Sequence, residues 1–147
     1  MRPPAARRAT VHAVEHEALT RTVIGAAMRV HDALGPGFLE SVYQRALALE
    51  LRAVGVSSAC DVRLAVRYRG QIVGEFAADM VVDGRVLVEN KAVASLAGAH
   101  DAQLLNYLAA TGVEVGLLLN FGADRLQFRR KVWKGPNLYG IRSDQIG

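Results

Sequence analysis

A chain of 147 residues has room for one ordinary domain with a single core and too little for two, and its 51% hydrophobic and 22% charged residues should fold rather than stay disordered. No apolar run approaches the ~18 residues that a bilayer crossing needs, and residues 1–10 lack the apolar stretch of a signal peptide, so the expectation is a cytoplasmic protein with no membrane partner. The net charge of +4 excludes little, and one cysteine, Cys60, excludes an intrachain disulfide and any Cys-only zinc site.

Residues 1–14, with Arg2, Arg7 and Arg8 and no stable period, read as a flexible basic tail. A single domain is expected over residues 15–134 and a C-terminal tail over 135–147. From about Glu17 to Leu34 the residues Leu19, Val23, Ala26, Ala27, Val30 and Leu34 recur at helical spacing, and Gly35-Pro36-Gly37 must end that helix. A second helix is expected from Leu39 to Val54, with Leu39, Val42, Ala46, Leu49 and Ala53 on its buried side. Cys60 falls in a loop before three strands, Val62–Tyr68, Ile72–Val82 and Arg85–Lys91, separated by turns at Arg69-Gly70 and Asp83-Gly84. A third helix over His100–Thr111, with Ala102, Leu105 and Ala109 on one side, leads to Val113–Phe121. That run is apolar enough for a strand buried on both faces. Arg125–Trp133 reads as the last strand. The order α-α-β-β-β-α-β-β predicts an α/β fold, a mixed sheet flanked by helices.

Chemistry concentrates on the third strand. Glu89 and Lys91 are two residues apart and so share a sheet face, at the end of the apolar run Val86-Leu87-Val88, where an unpaired charge is costly. The chain has fifteen arginines and three lysines, and Lys91 is the only lysine in the first 130 residues. An ammonium can give up a proton where a guanidinium cannot. Whether Asp79 joins them depends on the hairpin register. A two-residue turn at Asp83-Gly84 would send Asp79 to the opposite face, whereas the three-residue loop Val82-Asp83-Gly84 brings it to the face of Leu87, Glu89 and Lys91. The odd-length loop is the expected one, because it sets Phe76, Ala78 and Met80 on the side of Val86 and Val88.

Asp79 followed by Glu89-Asn90-Lys91 resembles the D…(D/E)-x-K signature of the restriction-endonuclease-like, or PD-(D/E)xK, nucleases. The segment Gly37-Phe38-Leu39-Glu40-Ser41-Val42-Tyr43 resembles, within that superfamily, the small bacterial GxxExxY family, and the likeness runs from about His16 to Trp133. The resemblance implies a restriction-endonuclease-like sheet and hydrolysis of phosphodiester bonds in nucleic acid, with DNA favoured over RNA. It implies Mg²⁺ (or Mn²⁺) held by Asp79 and Glu89, with help from the Asn90 carbonyl and from Glu40. Lys91 would position or deprotonate the attacking water, or stabilise the transition state. Gln103 and Tyr107, four residues apart on the third helix, resemble the pair that borders the site in exonuclease-type members. Tyr43 shares a helix face with Glu40. Tyr43, Tyr107 and the basic residues Arg129 and Lys131 are expected to meet nucleic acid, and a homodimer is expected by analogy with other compact nucleases.

Plainer readings exist for each feature. Glu89 and Lys91 can form a surface ion pair, Tyr43 can be a core aromatic, and Gln103 and Tyr107 can simply pack against the sheet. The basic residues near the C-terminus (Arg125, Arg129, Arg130, Lys131, Lys134) suit a phosphate backbone, but equally a solvated strand face. His12-Ala13-Val14-Glu15-His16 matches an inverted zinc-protease motif, on a chain far shorter than such proteases. His100 reads as a capping residue. A protein that keeps the nuclease fold without cutting, as a nucleic-acid-binding or dimeric assembly module, is the alternative to an enzyme.

Overall fold

The computed structural model describes the backbone of residues 5–135 and the side chains of residues 16–135. Of the tails expected at 1–14 and 135–147, residues 1–4 and 136–147 fall outside the described residues, as does the His12 side chain, and the backbone of residues 5–14 belongs to the first helix. Three helices, α1 (Ala5–Leu34), α2 (Glu40–Ala53) and α3 (Gly98–Thr111), accompany five strands. The strands are β1 (Ser58–Tyr68), β2 (Gln71–Val82), β3 (Val86–Lys91), β4 (Val115–Asn120) and β5 (Gln127–Val132). The element order is the expected one, with helix α1 beginning at Ala5 rather than near Glu17. Cys60, expected in a loop, is instead an exposed residue of β1.

Strand order in the sheet follows chain order, β1-β2-β3-β4-β5. Neighbours are antiparallel except β3 and β4, which run parallel, so the chain must cross over between them, and α3 is that crossover. Each face of the sheet has its own core. On one side α1 and α2 pack Val23, Val30, Tyr43 and Leu47 onto Met80, Val88, Leu117 and Phe121. On the other, Leu104 and Leu108 of α3 pack onto Leu87 and Leu118. The β4 strand between them is buried throughout, as its apolar sequence requires.

Helix faces were only partly legible. The α1 residues Leu19, Val23, Ala26, Ala27 and Val30 are buried as expected. On α2 the buried residues are Tyr43, Leu47 and Leu51, while Leu39, Val42 and Leu49 of the expected stripe are exposed. That helix carries two apolar stripes, and the larger Tyr43–Leu47–Leu51 row wins the interior because its aromatic ring stacks on Phe121, centroids 4.7 Å apart. On α3 the buried row is Leu104, Leu108 and Ala109, and Ala102 faces outward.

Candidate active site

The site is made by an interruption in the β2–β3 ladder. Asp83 and Gly84 both take left-handed backbone conformations, at φ of 51° and 64°, and the Arg85 N–H donates to the Val82 carbonyl. Such a turn alone would set Val82 opposite Arg85. Instead Arg85 is an extra residue, and Val82 pairs with Val86, Val81 with Leu87 and Met80 with Val88. The loop is therefore Asp83-Gly84-Arg85, one residue later than expected. It has the same odd length, so the parity that puts Asp79 beside Glu89 holds.

Beyond Met80 the strands stop pairing through their backbones. The Asp79 N–H donates to Glu89 Oε1 at 3.1 Å, and the Asn90 N–H donates to Asp79 Oδ2 at 2.7 Å. Each carboxylate thus accepts a backbone N–H of the opposite strand where the ladder has stopped. The neighbouring strand is irregular at the same level: Asp61 has φ 53°, and the ladder between β1 and β2 skips from Cys60↔Met80 to Val62↔Ala78. The irregularity turns β2 over. Phe76 and Ala78, expected on the side of Met80, pack with Leu64 and Leu87 under α3, whereas Met80 and Val82 pack under α1 and α2.

Two acids held this close inside a protein resist ionisation. Burial, and after it the neighbouring Asp79 charge, push the Glu89 carboxyl up to about 8. The residue is only 4% exposed. Burial also raises Asp79, against the lowering effect of the Asn90 N–H. Attraction to Lys91 lowers both. Lys91 is half-buried on the same face, and its Nζ donates to Gln103 Oε1 at 3.2 Å. One turn further along α3, Tyr107 stacks on Phe76 with centroids 4.1 Å apart. Burial, and then the charges of Glu89 and Asp79, push its hydroxyl above the usual tyrosine range. Asp79, Glu89, Lys91, Gln103 and Tyr107 therefore form one cluster.

The remaining expected residues divide. Glu40 is exposed at the start of α2 and lines, with Asp61 and Asp79, a cleft of about 640 Å³. The Asn90 side chain points to the opposite face, where its Nδ2 donates to Met80 Sδ at 3.4 Å, so only its backbone can serve the site. Tyr43 has no exposed surface: its hydroxyl donates to the Gly35 carbonyl at 2.5 Å and accepts the Phe38 N–H at 3.1 Å. It is a core residue that pins the α1–α2 connection and cannot touch nucleic acid. Arg129 and Lys131 both pair with Asp101, the latter at 3.1 Å. Burial would raise the Asp101 carboxyl, but hydrogen bonds from Lys131 and Arg129 hold it below the ordinary range. The two cations share this one carboxylate, so half of their charge is compensated within the fold. His100 caps α3, its Nδ1 accepting the Ala97 N–H at 3.0 Å. His16 lies 3.9 Å from Glu114.

Sequence reasoning missed Asn120. Its Oδ1 accepts the N–H groups of Val93 and Gly122, both at 3.0 Å, and its Nδ2 donates to Val93 O at 2.9 Å and Gln127 Oε1 at 3.0 Å. Gln127 Oε1 also accepts the Leu96 N–H. These bonds fix the segment that leads from Lys91 to α3, and hence the distance between Lys91 and Gln103. The signal was a lone amide at the end of a strand that is otherwise apolar.

Hard oxygen donors on two neighbouring carboxylates suit a small divalent cation, which takes one or two protein carboxylates and completes its shell with water. Among the described residues no group of three or more His, Cys, Asp or Glu converges on one point, so Glu40 does not stand as a third direct ligand. A cation would also remove the cost of burying two like charges. The residues fit such an ion.

A five-stranded mixed sheet with a crossover helix, carrying two acids and a lysine where a ladder opens, defines an α/β protein of the restriction-endonuclease-like type. A model of the PD-(D/E)XK nuclease superfamily matches residues 17–131, and the chain belongs to that superfamily. Its nucleases generally use divalent metals. No curated protein and no solved structure matches the chain. Among the described residues no helix is long and apolar enough to cross a membrane.

Proposed function

We propose that this protein is a Mg²⁺- or Mn²⁺-dependent nuclease of the GxxExxY type that hydrolyses phosphodiester bonds, with DNA favoured over RNA. The reading rests on the exchange of backbone donors that seats Asp79 against Glu89 with Lys91 on the same face. Asp79 and Glu89 would hold the ion, with the Asn90 carbonyl as a further oxygen donor. When bound, a divalent ion supplies charge against that developing on the scissile phosphate and lowers the pKa of water. The Lys91 ammonium, oriented by Gln103, aligns the attacking water and compensates charge on the phosphate. Tyr107 borders the cluster. Glu40 acts from the cleft wall through water. A cytoplasmic homodimer completes the reading, supported by apolar surface that α1 and α2 leave exposed at Met28, Leu34 and Val42.

One observation favours the non-cutting module, namely that among the described residues no third metal-ligating side chain joins the two carboxylates. The deciding experiment incubates the protein with single- and double-stranded DNA and with RNA in Mg²⁺, Mn²⁺ or EDTA, beside Asp79→Ala and Lys91→Ala. Metal-dependent cleavage lost in both variants supports the nuclease. Cleavage that survives both substitutions removes the catalytic reading, and metal-independent binding without cleavage supports the module.

A further inference from the structure

The cleft that holds Asp79 does not end there. It shares Gln44, Arg45 and Asp61 with a second hollow of about 720 Å³ between α2 and β1, which continues past Ser57 and Cys60 to Arg52. The two form one groove, and its charge changes along its length. Glu40 and Asp79 stand at one end and Arg52 at the other, with Arg45 and Asp61 on the stretch that the two hollows share. Both arginines are exposed and, among the described residues, neither is ion-paired, unlike Arg21 with Glu17, Arg29 with Glu50, and Arg129 with Asp101. They lie seven residues, or two helical turns, apart, so they stand on one side of α2 roughly 10 Å from each other. At the acidic end, Phe38 is 49% exposed in the cleft wall, and its ring is steadied edge-on by Tyr43.

We propose that this groove binds single-stranded DNA, with phosphates on Arg45 and Arg52 and a base stacked on Phe38 beside the Asp79–Glu89 pair. The proposal rests on the nuclease reading for the direction of the strand but not for its binding. Unpaired guanidiniums together with an exposed aromatic are the combination that holds a single strand without reading its sequence, since every base has a face to stack and every nucleotide a phosphate. A duplex would keep its bases stacked inside and give Phe38 nothing to meet. The acidic end repels phosphate unless a cation sits on the carboxylates, so the arginines supply most of the attraction when metal is absent. Arg129 and Lys131, the basic residues expected from the sequence, are held by Asp101 and are less available.

Two readouts test this on the full chain, both in EDTA so that cleavage does not intervene. The first is fluorescence anisotropy with a labelled single-stranded DNA oligonucleotide and its duplex. The single strand should bind more tightly than the duplex. Arg45→Gln/Arg52→Gln should weaken that binding about 10-fold or more and reduce the salt slope by roughly 1.4, the value for two lost phosphate contacts on a single strand. Phe38→Leu, which keeps an apolar side chain against Tyr43, should weaken it by about 5-fold or more through lost stacking. The second readout is alkylation of Cys60, the one cysteine of the chain, which lies exposed in the groove wall. Single-stranded DNA should slow its modification in the unaltered protein and not in the double arginine variant. Equal binding by the double variant, an equal loss from Arg129→Gln/Lys131→Gln, tighter binding of duplex, or undiminished alkylation of Cys60 would each overturn the proposal. Failure of cleavage in Mg²⁺ leaves these binding readouts intact, so the two readings fail separately.

Discussion

Consider the metal-free protein carried from about pH 5 to about pH 8.5, where the buried Glu89 carboxyl has to ionise beside Asp79. A carboxyl whose pKa is raised in the folded state contributes stability that is complete below its unfolded value and is lost as pH climbs through its folded value. The relevant window therefore runs from the ordinary 4.5 to about 8. At about 1.4 kcal/mol per pK unit, that displacement corresponds to roughly 3–5 kcal/mol for the pair. For a chain of this size the melting temperature should fall by on the order of 10 °C, since 1 kcal/mol moves it by about 3–5 °C. Thermal unfolding in EDTA, followed by circular dichroism at several pH values, measures the fall. Glu89→Gln removes the charge without changing the shape and should flatten the curve. Mn²⁺ or Mg²⁺ added at the high-pH end should restore the unaltered protein and leave the variant largely unmoved. Metal-free stability that stays level or rises across this range, or a slope that Glu89→Gln does not change, would refute the account of the buried pair.

Three further outcomes follow from the packing around the site. Asn120→Ala removes the acceptor of the part-buried N–H groups of Val93 and Gly122 and should cost about 1–3 kcal/mol in urea unfolding, with a fall in cleavage rate because Lys91 loses its fixed distance to Gln103. Gly122→Ala would put a methyl 2.4 Å from the Val93 carbonyl oxygen, and backbone cannot yield cheaply. It should destabilise by about 1–3 kcal/mol and lower kcat in parallel, read by steady-state kinetics beside unfolding curves. Tyr43→Phe deletes two hydrogen bonds at the α1–α2 connection and should lower stability by about 1–2 kcal/mol while oligonucleotide affinity, measured by anisotropy, stays where it was.

Much of the site was readable because strand geometry is periodic. Glu89 and Lys91 share a face in any sheet, and the apolar run before them argues that the face is enclosed. The third member, Asp79, needed the hairpin parity, and hydrophobic pattern plus Asp83-Gly84 were enough to choose an odd-length loop. Hydrophobic pattern gives the right parity but sets the loop one residue early and Phe76 and Ala78 on the wrong side, since the unpaired, left-handed step at Asp61 opposite Asp79 is not encoded in alternation. Gln103 enters through the resemblance of the Gln103 and Tyr107 pair to that of exonuclease-type nucleases, and it accepts a hydrogen bond from Lys91.

Burial partners divided what was legible from what was not. Local pattern determined the succession of helices and strands, the enclosed β4, and the placement of an acid–lysine pair at the end of β3, because these depend on residues near one another in the chain. Which stripe of α2 turns inward, that Tyr43 belongs to the core, that Arg129 and Lys131 share Asp101 while Arg45 and Arg52 have no ion-pair partner among the described residues, and that Asn120 anchors the Lys91–α3 segment were decided only by the tertiary structure. Each depends on a contact between residues far apart in sequence, such as Tyr43 with Phe121 or Arg129 with Asp101. Periodicity says that a face is apolar or charged, but the free energy of burying or pairing it is set by what the folded chain brings opposite.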